Sequence, residues 1–197
     1  MGREPQNSIE MSLARARAMI PRPLKDWHPY RRAQLAHLVF CAMGIGVSMY
    51  ALYVEVNKIT TPAYKPMCDI SEHVKCSRVL VSEYSRGFGL LGSFFGADSP
   101  LNMSNCAFGI VFYMIVFCLG FIHQPTVLYL TVWFVVLAYV MSMYLMAVLI
   151  FVLSDFCVVC ATIYAINTLL MLATFSRYSC SPKIAQEKLY KSQKKYN

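Results

Sequence analysis

The sequence predicts an all-α integral membrane protein: a bundle of four transmembrane helices, with a lumenal loop or cap between the first and second spans. Three observations predict it. Hydrophobic residues make up 57% of the 197 positions and charged residues only 14%, against about a quarter charged in soluble proteins. The apolar residues gather into four runs of membrane-spanning length. The net charge of +8 sits at the two ends, with seven Lys/Arg and three acids in residues 1–32 and six Lys/Arg and one acid in 177–197. That distribution is the positive-inside pattern and places both termini in the cytosol. A nucleic-acid-binding protein would gather its basic residues on one surface, so no nucleic-acid partner is expected.

The organisation that follows is a basic cytosolic tail (1–32), a membrane domain (33–176) enclosing a lumenal loop (57–105), and a second basic cytosolic tail (177–197). Residues 1–32 contain no apolar h-region, so no cleavable signal peptide is expected. Pro21, Pro23 and Pro29 discourage a continuous helix there. The first span, Ala33 to Val54, is anchored by Arg31 and Arg32 and closed by Glu55 and Lys58. The second runs from Cys106 to Ile122, and His123-Gln124-Pro125-Thr126 is a tight turn. The third, Val127 to Leu153, is long enough to tilt. Ser154-Asp155 is a brief polar break, and the charge of Asp155 favours a helix start. The fourth runs from Phe156 to Phe175 and ends at Arg177. Four spans put Cys68, Cys76, Cys157 and Cys160 on one face of one membrane.

Cys157-Val158-Val159-Cys160 is the most informative motif. A Cys-x-x-Cys pair in a soluble setting suggests zinc or a thioredoxin-like site. Here it opens an apolar span, and a dithiol at that place suits electron exchange with a lipid-soluble molecule. Helical positions i and i+3 face the same way, about 5–6 Å apart at Cβ. Free N–H groups at a helix start favour a thiolate. Cys160, Tyr164 and Asn167 follow at +3, +7 and +10 from Cys157 and share a face with it. Tyr164 can donate a hydrogen bond one turn below Cys160; Asn167 suits a helix–helix hydrogen bond. Asn105, Phe108 and Phe112 form a similar face at the second span, fit for a flat ligand bearing a carbonyl or for packing plus a helix cap.

Cys68 and Cys76 lie in the polar loop, as a permanent disulfide or as a shuttle pair. Seven residues separate them, a wider spacing than zinc ligands usually have, so no metal is expected. Cys41, Cys106, Cys118 and Cys180 read as packing or terminal residues, with acylation an alternative for Cys180. The sequon Asn102-Met103-Ser104 lies too near the second span for glycosylation to be expected. Lys194-Lys195 resembles a dilysine retrieval signal. No Gly-x-Gly-x-x-Gly motif or metal motif is present, so no tightly bound cofactor is expected.

Over residues 30–177 the chain resembles the vitamin K epoxide reductases of animals, the catalytic subunit or its like-type paralogue. The resemblance rests on Cys68-x7-Cys76-Ser77-Arg78, Arg86-Gly87-Phe88-Gly89-Leu90, Leu101-Asn102-x-x-Asn105 with Phe108-Gly109 and Phe112-Tyr113, and Phe156-Cys157-Val158-Val159-Cys160 with Tyr164 and Asn167. It implies a four-helix bundle around a quinone pocket in the endoplasmic reticulum membrane. The substrate is then vitamin K quinone or its 2,3-epoxide, and the reductant an external dithiol on a lumenal thioredoxin-like oxidoreductase. It further implies that Cys160 attacks the substrate, Cys157 resolves the adduct, Cys76 passes electrons to Cys157, and Cys68 exchanges with the external thiol. Asn105 and Tyr164 would hold the quinone oxygens, with Phe108, Phe112 and Val159 in the pocket. Leu80 and Tyr84 belong to the cap. They depart from the usual family residues there, which leaves substrate preference and sensitivity to coumarin-type inhibitors open. Two rivals remain: the same machinery run backwards to make disulfides for lumenal proteins, and a tetraspanning scaffold protein, which would leave Cys157 and Cys160 unexplained.

Overall fold

The computed structural model describes residues 27–70, 74–90, 96, 99, 102–153 and 155–181. The first 26 residues, the C-terminal tail with Lys194-Lys195, Ser154, and the Leu91–Ser93 part of the cap fall outside it. The elements are α1 (Trp27–Thr60), the short α2 (Cys76–Leu80), two 3-10 turns (Glu83–Ser85 and Gly87–Gly89), α3 (Asn105–Leu119), α4 (Pro125–Val148) continued by a π-turn (Leu149–Leu153), and α5 (Val158–Ser179). Among the described residues the only β pairing is two isolated bridges, Val74 with Phe156 and Arg86 with Ser104. Three helices, α1, α4 and α5, are long and apolar enough to cross a membrane; α3 is apolar but shorter.

Several expected boundaries shift, each for a physical reason. Pro29 does not interrupt α1, because it falls in the first turn, where its missing N–H would have had no intrahelical partner. Glu55 does not close that helix. It is 2% exposed, and its carboxylate accepts a hydrogen bond from the Ser104 hydroxyl, so a partner across the bundle keeps it inside. Pro125 is the first residue of α4, and the turn lies before it. Arg177 does not mark an exposed boundary. It is buried, and its Nη2 donates to the carbonyls of Gly120 (2.7 Å) and Ile122 (2.8 Å). There the guanidinium satisfies carbonyls left open at the end of α3.

The bundle is pinned by polar side chains at successive depths. In lipid, apolar helix faces gain little by meeting one another, so close packing and hydrogen bonds decide the pairing. Toward the N-terminal end of α1, His37 bonds Thr174 (3.0 Å) and the Val116 carbonyl (3.2 Å). At mid-depth Tyr113 of α3 donates to Asn167 Oδ1 of α5, and Asn167 Nδ2 donates to Ser142 of α4, both at 2.6 Å. Asn167 thus forms the expected helix–helix hydrogen bond. Gly44 lets α1 approach α3, since a Cβ there would lie 2.5 Å from the Tyr113 ring. Asn167→Ala should lower stability by about 1–3 kcal/mol, because two buried hydroxyls lose their partner. Thermal unfolding in detergent should show a lower midpoint than for Asn167→Asp or the parent; an unchanged midpoint would mean that this pin is dispensable.

Candidate functional site

A cavity of about 530 Å³ opens between the loop and the helices. Its wall includes Asn105, Phe108 and Phe112 of α3, Leu80 and Tyr84 of the loop, and Val159, Cys160, Tyr164 and Asn167 of α5. Every residue expected to bind substrate therefore lines one space, although they come from three separate segments.

Asn105 does more than line it. Its Oδ1 accepts the Phe88 N–H (2.8 Å) and its Nδ2 donates to the Tyr84 carbonyl (2.7 Å). The helix cap belongs to Ser104, whose hydroxyl accepts the Cys106 N–H at 3.1 Å. Asn105 thereby holds the loop over the cavity, and these two bonds use one of its two amide hydrogens. The loop needs holding: Gly87, Phe88 and Gly89 have φ of 51°, 58° and 71°, and a non-glycine residue in that region is strained. Gly89 is required twice over, because a Cβ would also lie 2.5 Å from the Tyr84 ring. Phe88 in turn stacks on Phe108, centroids 5.5 Å apart. Tyr164 lines the cavity, and its hydroxyl bonds no described residue.

The two inner cysteines do not share a helix face as their spacing suggests. Cys157 is the N-cap of α5, with extended backbone (φ −112°, ψ 110°), and its sulfur accepts the Cys160 N–H at 3.2 Å. Cys160 is inside the helix and reaches the cavity; Cys157 is fully buried behind it. On that hidden side the Cys157 thiol meets the thiol of Cys76. Cys76 in turn meets the thiol of Cys68 and donates to the Cys68 carbonyl at 3.4 Å. The four sulfurs form one line from the loop to the cavity wall, in the order Cys68, Cys76, Cys157, Cys160, and all eight cysteines of the chain carry free thiols. Asp69, Cys68 and Cys76 also bring three ligand atoms within 4.8 Å of one another. Both Asp69 oxygens are already taken, by the Ser77 N–H (3.0 Å) and hydroxyl (2.6 Å), so the carboxylate fixes the start of α2. Asp155 does not bond the start of α5; its carboxylate accepts from Arg78 at 3.0 Å.

The profile of the Vitamin K epoxide reductase family matches residues 35–175. The chain belongs to that family. It is 40% identical over 148 residues to Vitamin K epoxide reductase complex subunit 1 of Mus musculus, which covers 75% of this chain and 92% of the relative. The same subunit of Rattus norvegicus is 40% identical over 151 residues, 77% of this chain and 92% of the relative. Within this vitamin K epoxide reductase fold, sequence reasoning missed Ser48, Cys106 and Ser142 in the cavity wall and the buried Glu55 behind Cys106. Glu55 carried a signal, an acid directly after the apolar Ala51-Leu52-Tyr53-Val54, but it read as a helix end.

Burial pushes the Cys68 thiol up to about 12, with the Cys76 thiol adding to the shift. Cys76 is raised too, first by its contact with Cys157 and then by burial. The sign is clear: below these values the thiol form dominates, and the reactive thiolate grows tenfold with each pH unit. Iodoacetamide labelling of reduced Cys68 and Cys76, followed by mass spectrometry, should therefore accelerate about tenfold per unit between roughly pH 7.5 and 10. Levelling near pH 9, the behaviour of an ordinary thiol, would contradict this.

Proposed function

We propose that this protein reduces vitamin K 2,3-epoxide to the quinone, and the quinone onward to the hydroquinone, with electrons passed through Cys68 and Cys76 to Cys157 and Cys160. The observation that carries the reading is the unbroken line of four thiols that ends at the wall of an apolar cavity. Membership of the family and the names of the two relatives supply the substrate class.

The chemistry balances on these residues. Cys160 as thiolate attacks an epoxide carbon, the C–O bond breaks, and a hydrogen bond from Tyr164 or from the remaining Asn105 amide hydrogen stabilises the developing oxyanion. Cys157 as thiolate then attacks Cys160 Sγ; the C–S bond breaks, its electron pair forms the ring double bond, and the hydroxyl left by the opened epoxide departs with a proton as water. A Cys157–Cys160 disulfide, quinone and water result, with both protons drawn from the two thiols. Reduction of quinone to hydroquinone consumes a second dithiol in the same way. Cys76 and Cys68 re-reduce the inner pair, and a thioredoxin-like dithiol on the lumenal side re-reduces them. Phe134 and Leu137 of α4 line the cavity and are 47% and 62% exposed, and between them an apolar side chain of the substrate would reach lipid.

The topology that serves this chemistry has α3 as a fourth span, about 22 Å long at 1.5 Å per residue and extended by the apolar Gly120 to Ile122. Both termini then lie in the cytosol and the loop in the lumen of the endoplasmic reticulum, in accord with the basic tails.

Cys160→Ala should abolish epoxide turnover with any reductant, and Cys157→Ala should leave an adduct that is not released. Cys68→Ala should lose turnover chiefly with a protein reductant and far less with dithiothreitol, which reaches the inner pair directly. Equal loss with both reductants would make Cys68 a structural residue. Tyr164→Phe removes only a hydroxyl and should cost about 1–3 kcal/mol, roughly a tenfold to hundredfold fall in kcat/KM. Parental activity in that variant would take Tyr164 out of the chemistry.

A further inference from the structure

We infer that the Arg78–Asp155 ion pair is a latch that holds Cys76 against Cys157, making Arg78 and Asp155 positioning residues for exchange between the two cysteine pairs. The inference rests on the relay reading above.

The pair is placed symmetrically about the junction. Arg78 follows Cys76 by two residues, and Asp155 precedes Cys157 by two. Their side chains meet at 3.0 Å, and among the described residues this is the one ion pair. On the other side of Cys76 the backbones of Val74 and Phe156 form a parallel bridge. The helix that carries Cys76 is five residues long and has no side-chain cap at its own N-cap residue. Such a helix has no stability of its own and takes its place from what ties it down. Asp69 ties one side through Ser77, and Arg78 ties the other to the start of α5. The Asp155 side chain is 6% exposed and that of Arg78 63%. A carboxylate that far from water needs a counter-charge, whereas the exposed guanidinium could do without one. Asp155 therefore draws Arg78, and with it Cys76, onto the membrane helix.

The step being positioned is a thiol–disulfide exchange. The Cys76 thiolate attacks Cys157 Sγ of the oxidised inner pair; the Cys157–Cys160 bond breaks and Cys160 leaves as thiolate. Cys68 then attacks Cys76, and Cys157 is released. The outer pair is oxidised, the inner pair is reduced, and the two protons lost by Cys68 and Cys76 pass to Cys157 and Cys160. Attack needs in-line sulfurs at contact distance, and about 1 Å of misplacement can cost up to a hundredfold.

The test is epoxide turnover by full-length protein in detergent, driven either by reduced thioredoxin, which enters at Cys68, or by dithiothreitol. Arg78→Gln and Asp155→Asn should each lower thioredoxin-driven turnover about tenfold or more, while dithiothreitol-driven turnover falls less than about threefold. The exchanged pair, Arg78→Asp with Asp155→Arg, should recover most of the loss; should it not fold, Arg78→Lys, which keeps the charge, should retain more activity than Arg78→Gln. Equal loss with both reductants would overturn the latch in favour of a general structural role. Loss in Arg78→Gln but not in Asp155→Asn would overturn it in favour of a contact between Arg78 and the reductant. Cys76→Ala separates this inference from the reading beneath it. If that variant keeps thioredoxin-driven turnover, the relay itself is wrong; if it loses turnover while Arg78→Gln and Asp155→Asn keep it, only the latch is.

Discussion

The arrangement depends on Cys157 standing just outside a helix. Had it been the first residue within α5, its side chain would have followed the helical spacing and faced the same side as Cys160. As the N-cap it is extended, its sulfur is bound by the Cys160 N–H, and its other side is open to the loop. The Cys-x-x-Cys motif is thereby divided: one thiol toward the cavity, one toward Cys76. The π-turn Leu149–Leu153 ends the regular part of the preceding helix, and Phe156 bridges with Val74.

The loop above this junction is held by specific bonds as well as by the packing of Cys76, Val79 and Leu80 against the helices. Asn105 grips Tyr84 and Phe88 from the start of α3, Asp69 grips Ser77, and Gly87 N–H bonds the Met103 carbonyl at 2.9 Å. These contacts draw the loop over the cavity and set the left-handed Phe88 against Phe108. The membrane helices below pack tightly where small residues and polar pins bring them together, as at Gly44, Asn167 and His37. Between α3 and α4 the cavity intervenes, so rigidity beside the thiols coexists with an apolar space large enough for a ring system.

Much of this was legible in the sequence, because lipid and thiol chemistry leave strong marks. Apolar length marked the helices, and the Cys-x-x-Cys spacing marked the inner cysteines. Asn105, Phe108, Phe112, Tyr164, Val159, Leu80 and Tyr84, expected together from the family resemblance, do line one cavity. What could not be read depends on partners distant in sequence. Glu55 and Arg177 looked like the ends of spans, because a charge usually marks the headgroup level; only Ser104 and the carbonyls of Gly120 and Ile122 make their burial affordable. Asp155 looked like an aid to its own helix, because Arg78 is 77 positions away. A helical spacing rule applied to Cys157 failed for a local reason: it presumes that the residue is in the helix.

The central claim is that Cys76 and Cys157 are the point at which the loop and the membrane helix exchange electrons. Its most direct measurement leaves only those two of the four thiols in place, in a Cys68→Ser/Cys160→Ser protein, and follows disulfide formation under mild oxidation by mass spectrometry of the native membranes. The account predicts a Cys76–Cys157 bond within one chain, formed far faster than the Cys68–Cys157 bond in the corresponding Cys76→Ser/Cys160→Ser protein, since the Cys157 thiol touches that of Cys76, whereas Cys68 touches Cys76. Rapid bonding of Cys68 to Cys157, with Cys76 left free in its own variant, would contradict it.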